Sequence, residues 1–476
     1  MFTRYDSLYL GGAWAAPASD ARIAVVSPNT GETIGEVPEA THADADAAVT
    51  AARRAFDGPG WRDHDRAAAL RRFADAIEAR KDGFAHLVAA QNGMPIAFAS
   101  QLEANFPATL LRYYADLIAG DQEEARPGLL GGTVRVRREP VGVVAAIVPW
   151  NFPQTLGFMK IAPALAAGCT VVVKPSPETV LDSFLLAQAA IDAELPAGVL
   201  NIVPGGRDLG AYLVTHPGVD KVGFTGSTEA GRDIAEKCGR LLRPVTLELG
   251  GKSAAIVLDD ADLDLATIGQ DLFLATLANN GQTCYLGTRV LAPRTRYTEV
   301  VDALTEFAAS LNVTDSLDPD AQIGPMVSAR HRERVEGYIA KGRAEGGRVT
   351  TGGRRPAGRD QGWFVEPTVF ADVDNDATIC REEIFGPVLA VIPYRDEDEA
   401  VRIANDSDFG LGGTVWSADP QRALSLARRI ETGTIGVNRY LPDPAAPFGG
   451  VKASGIGREL GPEGLAAYQQ LKSIYC

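Results

Sequence analysis

The sequence predicts an α/β protein: a doubly wound, parallel-sheet unit, a second α/β unit and a small β element. Three observations predict it. Continuous Val/Ile/Leu runs alternate with helical stretches over 141–249, the alternation resumes from Ser253, and two strand-like runs, TVRVRRE (133–139) and the terminal LKSIYC, stand apart from both. Unbroken apolar runs between helices mark strands of a parallel sheet covered on both faces. A chain of 476 residues is about three times the size of a typical domain, so more than one core is expected.

Taken in order, residues 43–120 are alanine-rich and amphipathic, with Leu70, Phe73 and Ile77 recurring at helical spacing over 67–80. TVRVRRE alternates apolar and basic residues before Pro140, as a half-buried or edge strand does. VGVVAAIV (141–148), CTVVVK (169–174), VLNIV (199–203), KVGFTG (221–226) and VTLEL (245–249) are then strands separated by helices, the pattern of a nucleotide-type domain. From Ser253 come AAIVLD, helical segments over 263–278, TRVLAP (288–293), helices to Leu311, and strands within 363–370 and 388–394. LKSIYC closes the chain as a strand with no partner nearby in sequence. There is no internal repeat and no low-complexity linker.

Composition narrows the function. At 46% apolar and 22% charged residues the chain has ample material for cores, which excludes disorder, collagen and coiled coil. Its 46 basic against 61 acidic residues, a formal charge of −15, repel polyanions, so no nucleic-acid or anionic-lipid partner is expected. The uncharged run 140–159 is broken by Pro149, Asn151, Pro153 and Gln154, which argues against a membrane span. MFTRYDSLYLGG lacks the apolar centre of a signal peptide, so a cytoplasmic enzyme is expected. The five cysteines (Cys169, Cys238, Cys284, Cys380, Cys476) are widely spaced and never form CxxC, and the five histidines, His331 among them, include no HxH or HExxH. No disulfide framework and no metal site are expected, and each histidine reads as a surface or helix-end residue.

Four segments carry chemistry. Glu248 closes an apolar strand before two glycines; with no cation directed at it, such a carboxylate has its pKa raised toward the range of a general base, the other reading being a turn or capping glutamate. Cys284 ends the polar segment NNGQTC, unlike the surroundings of an inert core cysteine, although packing is the commoner fate of an isolated one; the other four cysteines read as packing. Asn151, in WNFP, follows a strand at the end where open α/β sheets place ligands; its amide suits a developing oxyanion, or an Asx turn. GSTEAG (226–231) lies between strand and helix, where backbone N–H groups can hold a pyrophosphate, although it is not GxGxxG.

Together with KPSPET (174–179), EEIFGP (382–387) and PFGGVKASGIGRELG (447–461), these segments stand in the order and spacing of the aldehyde dehydrogenase superfamily, which the chain resembles from about Ser27 to its end. The resemblance implies that Cys284 is the nucleophile, Glu248 the base that activates water, and Asn151, with the Cys284 backbone N–H, the oxyanion site. The reaction it implies is NAD(P)-dependent oxidation of an aldehyde to the acid through a thiohemiacetal and a thioester. It further places Lys174 on the adenosine ribose, Gly226 and Ser227 at the pyrophosphate with Trp150 and Gly206 nearby, and Glu383 and Phe385 at the nicotinamide ribose and ring. Val148, Pro149, Ser176, Glu178, Gly210 and Leu249 complete the cofactor set.

NAD-preferring relatives often carry Glu three residues after the lysine. This chain has Pro177 there and Glu178 one later, so NAD is expected with NADP as the alternative. The implied domains are a dinucleotide-binding domain (1–119 and 141–251), a catalytic domain (252–461) and oligomerisation strands (120–140 and 462–476) that pair with a partner in a homodimer or homotetramer. Phe152, Thr155, Leu156, Met159, Tyr285 and Phe448 fall near the entrance tunnel and suit an apolar aliphatic, terpenoid or aromatic aldehyde. Arg439 and Tyr440 would instead meet the carboxylate of a semialdehyde acid. Presence of both nucleophile and base argues against an inactive structural protein of the same fold.

Overall fold

The computed structural model describes residues 2–62, 64–120 and 123–476; residues 121 and 122 of the expected 120–140 excursion lie outside them. Its largest sheet runs, in spatial order, Gly455–Ile456, Val245–Glu248, Lys221–Thr225, Val143–Ile147, Thr170–Lys174, Leu200–Ile202, Leu8–Leu10, Ala13–Ala15. The middle five strands are parallel. Alternate residues of one strand enter different cores: Val144 and Ala146 pack with the helices Arg66–Glu78 and Pro153–Ala167, whereas Val143, Ala145 and Ile147 pack toward His42–Asp57 and Thr228–Arg240. That two-sided burial is why these strands carry no polar alternation. Leu70, Phe73 and Ile77 are fully buried, as their spacing predicts.

Strand order positions the site. Chain order reverses between Val143–Ile147 and Lys221–Thr225, which are neighbours although two further strands separate them in sequence. At such a switch point the connecting helices leave on opposite faces and open a crevice beyond the carboxyl ends of the strands. Pro149 to Asn151 follow one strand end there, and Gly226 and Ser227 follow the other.

A second sheet has the order Arg348–Thr351, Thr368–Ala371, Val388–Tyr394, Arg289–Pro293, Ala254–Val257, Gly413–Trp416, Gly436–Val437 and is parallel except at its first strand. The strand expected around 363–370 begins only at Thr368 and runs to Ala371. Gly455–Ile456, from the stretch expected in the catalytic domain, instead adds an antiparallel edge to the first sheet, pairing Gly455 with Glu248. The two sheets are therefore tied beside the candidate base.

The outlying strands find each other within the chain. Thr133–Pro140 pairs antiparallel with Gln469–Tyr475 on one side and with Glu123–Pro127 on the other. These three strands form an intramolecular arm with Glu123–Pro127 and Gln469–Tyr475 at its outer edges. The tail's outer face leaves Leu471 and Tyr475 exposed. Cys476 is exposed at its end, not packed as expected, because an edge strand has no layer above its last residue; Cys169, Cys238 and Cys380 are buried.

Candidate active site

Two cavities meet at Cys284. The first, of about 230 Å³, lies in the switch-point crevice and is walled by Pro149, Trp150, Asn151, Thr225, Gly226, Ser227, Leu249, Gly250, Cys284, His331, Arg334, Glu383 and Phe385. The second, of about 40 Å³, is walled by Leu102, Phe106, Phe152, Thr155, Leu156, Met159, Thr283, Cys284, Tyr285, Leu441, Pro442 and Phe448. Cys284 is the residue common to both walls. A group on its sulfur is therefore reachable from two sides.

The first wall suits an anion and a flat ring. Ser227 caps the helix Thr228–Arg240, accepting from the Ala230 N–H, so the helix presents its positive end to the crevice. A side chain at Gly226 would meet the Phe224 ring at 2.5 Å, which keeps the backbone bare there. The Trp150 ring stands edge-on to His331 and Phe385, with centroids 5.3 and 5.4 Å away. Phe385 has a positive φ of 64°, a conformation costly for a bulky residue. The His331 ring, Nε2 2.6 Å from the Phe385 carbonyl oxygen, supports it there. Burial holds the His331 imidazole near 4, so it is neutral. Glu383 accepts from the Gly251 N–H at 2.9 Å, and burial raises its carboxyl to about 7.

Lys174, Ser176, Glu178, Gly206 and Gly210 form a separate cluster at the end of the neighbouring strand. Lys174 Nζ donates to the Gly205 and Pro175 carbonyls at 2.7 and 3.0 Å, and burial lowers its pKa to about 8. A Cβ on Gly210 would lie 3.4 Å from the Lys174 chain, and Gly206 caps the helix Arg207–Thr215. Ser176 Oγ donates to Glu178 Oε2 at 2.5 Å. Val148 does not face the crevice: strand alternation turns its side chain into the core, while its N–H donates to the Lys174 carbonyl.

At the junction, Asn151 Nδ2 donates to the Gln282 carbonyl at 3.0 Å, leaving its second N–H available. Asn279 Nδ2 returns a bond to the Asn151 carbonyl at 2.9 Å. The two segments thus hold each other, and the bonds offset the positive φ of Asn279 and Asn280. Burial pushes the Cys284 thiol well above its ordinary range, reinforced by Glu383 and Glu248 and only partly opposed by the backbone N–H groups of Cys284 and Tyr285.

Glu248 is buried with no hydrogen bond to either carboxylate oxygen. Burial, then the nearby Glu459, raises its pKa well above the carboxylate range, against the smaller pull of Lys160 and Arg458. Gly449 makes room for it, since a Cβ there would lie 2.6 Å from Glu248 Oε1. Lys160 and Glu459 form a buried ion pair at 2.8 Å, and Lys160 also donates to Thr225 Oγ1 at 2.6 Å.

The second wall holds every residue expected near the tunnel and no acid or base but the thiol and the Tyr285 phenol. Tyr285 packs edge-on to Tyr440, 4.6 Å between centroids. Tyr440 is buried, its hydroxyl bonded to Thr434. Arg439 is exposed and outside this wall, so the expected partner for a substrate carboxylate is absent from it. Sequence reasoning missed His331, Arg334, Leu102, Phe106 and the Lys160–Glu459 pair. Of these only His331 carried a signal: it is one of five histidines, in a helix first turn capped by Ser328.

Comparison with known proteins gives a consistent result. The model of the "Aldehyde dehydrogenase family" matches residues 14–474. The chain is 58% identical over 475 residues to geranial dehydrogenase of Castellaniella defragrans, covering 99% of this chain and 98% of that protein. Among solved structures, Mycobacterium tuberculosis aldehyde dehydrogenase complexed with NAD+ superposes with a TM-score of 0.96 at 48% identity, covering 100% and 99% of the two chains. A mutant of aldehyde dehydrogenase C from Pseudomonas syringae, complexed with NAD+ and octanal, superposes with a TM-score of 0.94 at 39% identity, covering 99% and 96%.

Proposed function

The chain belongs to the aldehyde dehydrogenase family, and we propose that it oxidises an uncharged apolar aldehyde, of terpenoid or medium-chain aliphatic type, to the acid with NAD(P). One observation carries this reading: Cys284 is shared by a cavity suited to a dinucleotide and a cavity stripped of charge. The 58% identity to geranial dehydrogenase supports a terpenoid substrate, and the octanal complex of the Pseudomonas enzyme supports an aliphatic one.

The crevice residues fit the cofactor. Ser227 and the first amides of its helix would bind the pyrophosphate, Lys174 the adenosine ribose, Glu383 the nicotinamide ribose, with Trp150 and Phe385 beside the ring. When bound, the oxidised dinucleotide supplies a hydride acceptor and a positive charge next to Cys284. That charge matters because the thiol alone is held protonated by burial.

The Cys284 sulfur, as thiolate, adds to the aldehyde carbon, and the oxygen that becomes negative is met by the free Asn151 N–H and the Cys284 N–H. Loss of hydride from that carbon leaves a thioester on Cys284. Glu248, its carboxylate unpaired, takes a proton from water, the hydroxide adds to the thioester carbon, and the C–S bond breaks to release the acid and the Cys284 thiolate, the water proton leaving later from Glu248. The dinucleotide-binding, catalytic and arm segments divide as 1–119 with 141–251, 252–461, and 120–140 with 462–476 in this reading, with Gly455–Ile456 crossing to the first. It works as a cytoplasmic homodimer or homotetramer; the open outer edges of the arm and the exposed Leu471 and Tyr475 support assembly.

The test is absorbance of the reduced cofactor with geranial, octanal and succinic semialdehyde on wild type and Cys284→Ala. Oxidation of the apolar pair, lost in the variant, is expected; oxidation of the acid alone rejects the substrate class.

A further inference from the structure

The segment that carries Asn151 and Phe152 has no cap of its own. The helix Pro153–Ala167 begins directly after it, and its N-cap residue is Phe152, whose side chain makes no capping bond. An aromatic residue there is a poor choice for a helix start, where Ser, Thr, Asp or Asn normally accept from the free first-turn amides. Phe152 is instead spent on the tunnel wall, edge-on to Phe98 at 6.1 Å between centroids.

Accounting for the orphaned amides leads to another helix. Pro153 has no N–H, and the Leu156 N–H already reaches the Phe152 carbonyl at 3.0 Å. The remaining two, of Gln154 and Thr155, both donate to the carboxylate of Glu103: Gln154 N to Oε2 at 2.7 Å, and Thr155 N to Oε1 at 3.3 Å. Glu103 is fully buried. It directly follows the helix Ile96–Leu102, whose Leu102 lines the tunnel and accepts from Thr155 Oγ1 at 3.2 Å.

A second buried acid holds the same turn through the Gln154 side chain. Asp182 accepts from the Gln154 side-chain amide and, at 2.5 Å, from Gln91 Nε2. The next residue, Asn92, donates to the Trp150 carbonyl at 2.7 Å. Glu103, Asp182, Gln91 and Asn92 line neither cavity.

We propose that Glu103 is a positioning residue, a helix cap supplied from a distant element, that holds Asn151 against the cysteine loop and Phe152 in the tunnel wall, with Asp182 as its auxiliary. Phe152 is thereby released from capping to contact substrate. The proposal rests on the aldehyde-oxidising reading above. Burial, aided by Asp182, raises the Glu103 carboxyl to about 8 against the lowering pull of its bonds to Thr155 and Gln154.

The experiment compares wild type, Glu103→Gln, Glu103→Asp and Asp182→Asn with octanal and NAD. Readouts are the NADH-forming rate, KM for NAD and the melting temperature. In Glu103→Gln one carboxylate oxygen is replaced by an NH₂ donor that faces one of the two amides, so kcat is expected to fall at least tenfold with KM for NAD within twofold. Glu103→Asp should recover part of kcat, and Asp182→Asn should lower it about threefold. A Glu103→Gln protein that melts earlier but keeps kcat within twofold of wild type overturns the proposal, because capping would then serve stability alone. If Glu103→Gln does not fold, Asp182→Asn decides by the same criterion, an unchanged kcat overturning it. A wild-type chain that oxidises no aldehyde rejects the parent reading, an outcome distinct from active wild type with an indifferent variant.

Discussion

The two walls that share Cys284 are built on opposite principles. The crevice wall is made of strand ends, a helix N-terminus and a buried carboxylate, Glu383, each fixed by backbone bonds. The tunnel wall is lined mainly by apolar and aromatic residues, Phe152, Leu156, Met159, Tyr285 and Phe448 among them, and it holds no carboxylate, Lys or Arg. Recognition on the first side is by placed donors and acceptors, which tolerate little variation. On the second it is by exclusion, since a charged group entering leaves its hydration without a partner. A family can keep one wall and vary the other, so the crevice speaks for the reaction and the tunnel for the substrate.

Removing the shared residue should break the arrangement most completely. Cys284→Ala is expected to lower aldehyde oxidation below about 1% of wild type, because the covalent step is lost, while NAD binding, followed by Trp150 fluorescence, changes less than twofold. Turnover that survives would move the nucleophile elsewhere.

Glu248→Gln should separate the two half-reactions. A burst of NADH is expected to remain, followed by a steady rate reduced by about 10² or more, the usual worth of a general base. The pH sign follows from the raised pKa of Glu248. Only the ionised form accepts water's proton, so the wild-type steady rate should rise with pH through a value above the ordinary carboxylate range. That limb should vanish in the variant, and a limb that persists would belong to another group.

The tunnel comparison should be sharpened by charge. Succinic semialdehyde loses hydration without a cation, at a cost of several kcal/mol, whereas each buried CH₂ gains about 0.8 kcal/mol, roughly fourfold. Octanal is therefore expected to exceed succinic semialdehyde in kcat/KM by 100-fold or more, and Arg439→Ala to leave that ratio within twofold. A wild-type preference for the acid that disappears in Arg439→Ala would show that the exposed guanidinium swings inward.

The smallest effect concerns the ribose end. In the proposed reading Glu178, held by Ser176, would face the adenosine ribose and repel a 2′-phosphate, so NAD should be preferred modestly and Glu178→Gln should narrow the preference. Ten times greater kcat/KM with NADP, about 1.4 kcal/mol, would reverse this and assign Lys174 and Ser176 to the phosphate.

Much of this was legible before any coordinates. Val143–Ile147 and Thr170–Lys174 read as buried strands because each is a continuous apolar run between helices. Cys284, Glu248 and Asn151 stood out because polar reactive groups follow apolar runs at element ends. Arg439 misled because a cation near a tunnel residue in sequence need not face the tunnel, and Val148 misled because alternation along a strand reverses a side chain's direction at each residue.

What the sequence alone determined, then, is whatever depends on neighbours a few residues apart: periodicity, strand ends, glycine turns and the chemistry of single side chains. Only the tertiary structure decided the pairings that span hundreds of residues. The Thr133–Pro140 strand finds Gln469–Tyr475, Lys160 finds Glu459 beside Glu248, and Glu103 caps the helix that begins at Pro153. Each of these satisfies a backbone amide or a buried charge left open by local structure. The identity of its partner is set by packing, because an unpaired polar group in a dry interior costs more than any local pattern can reveal.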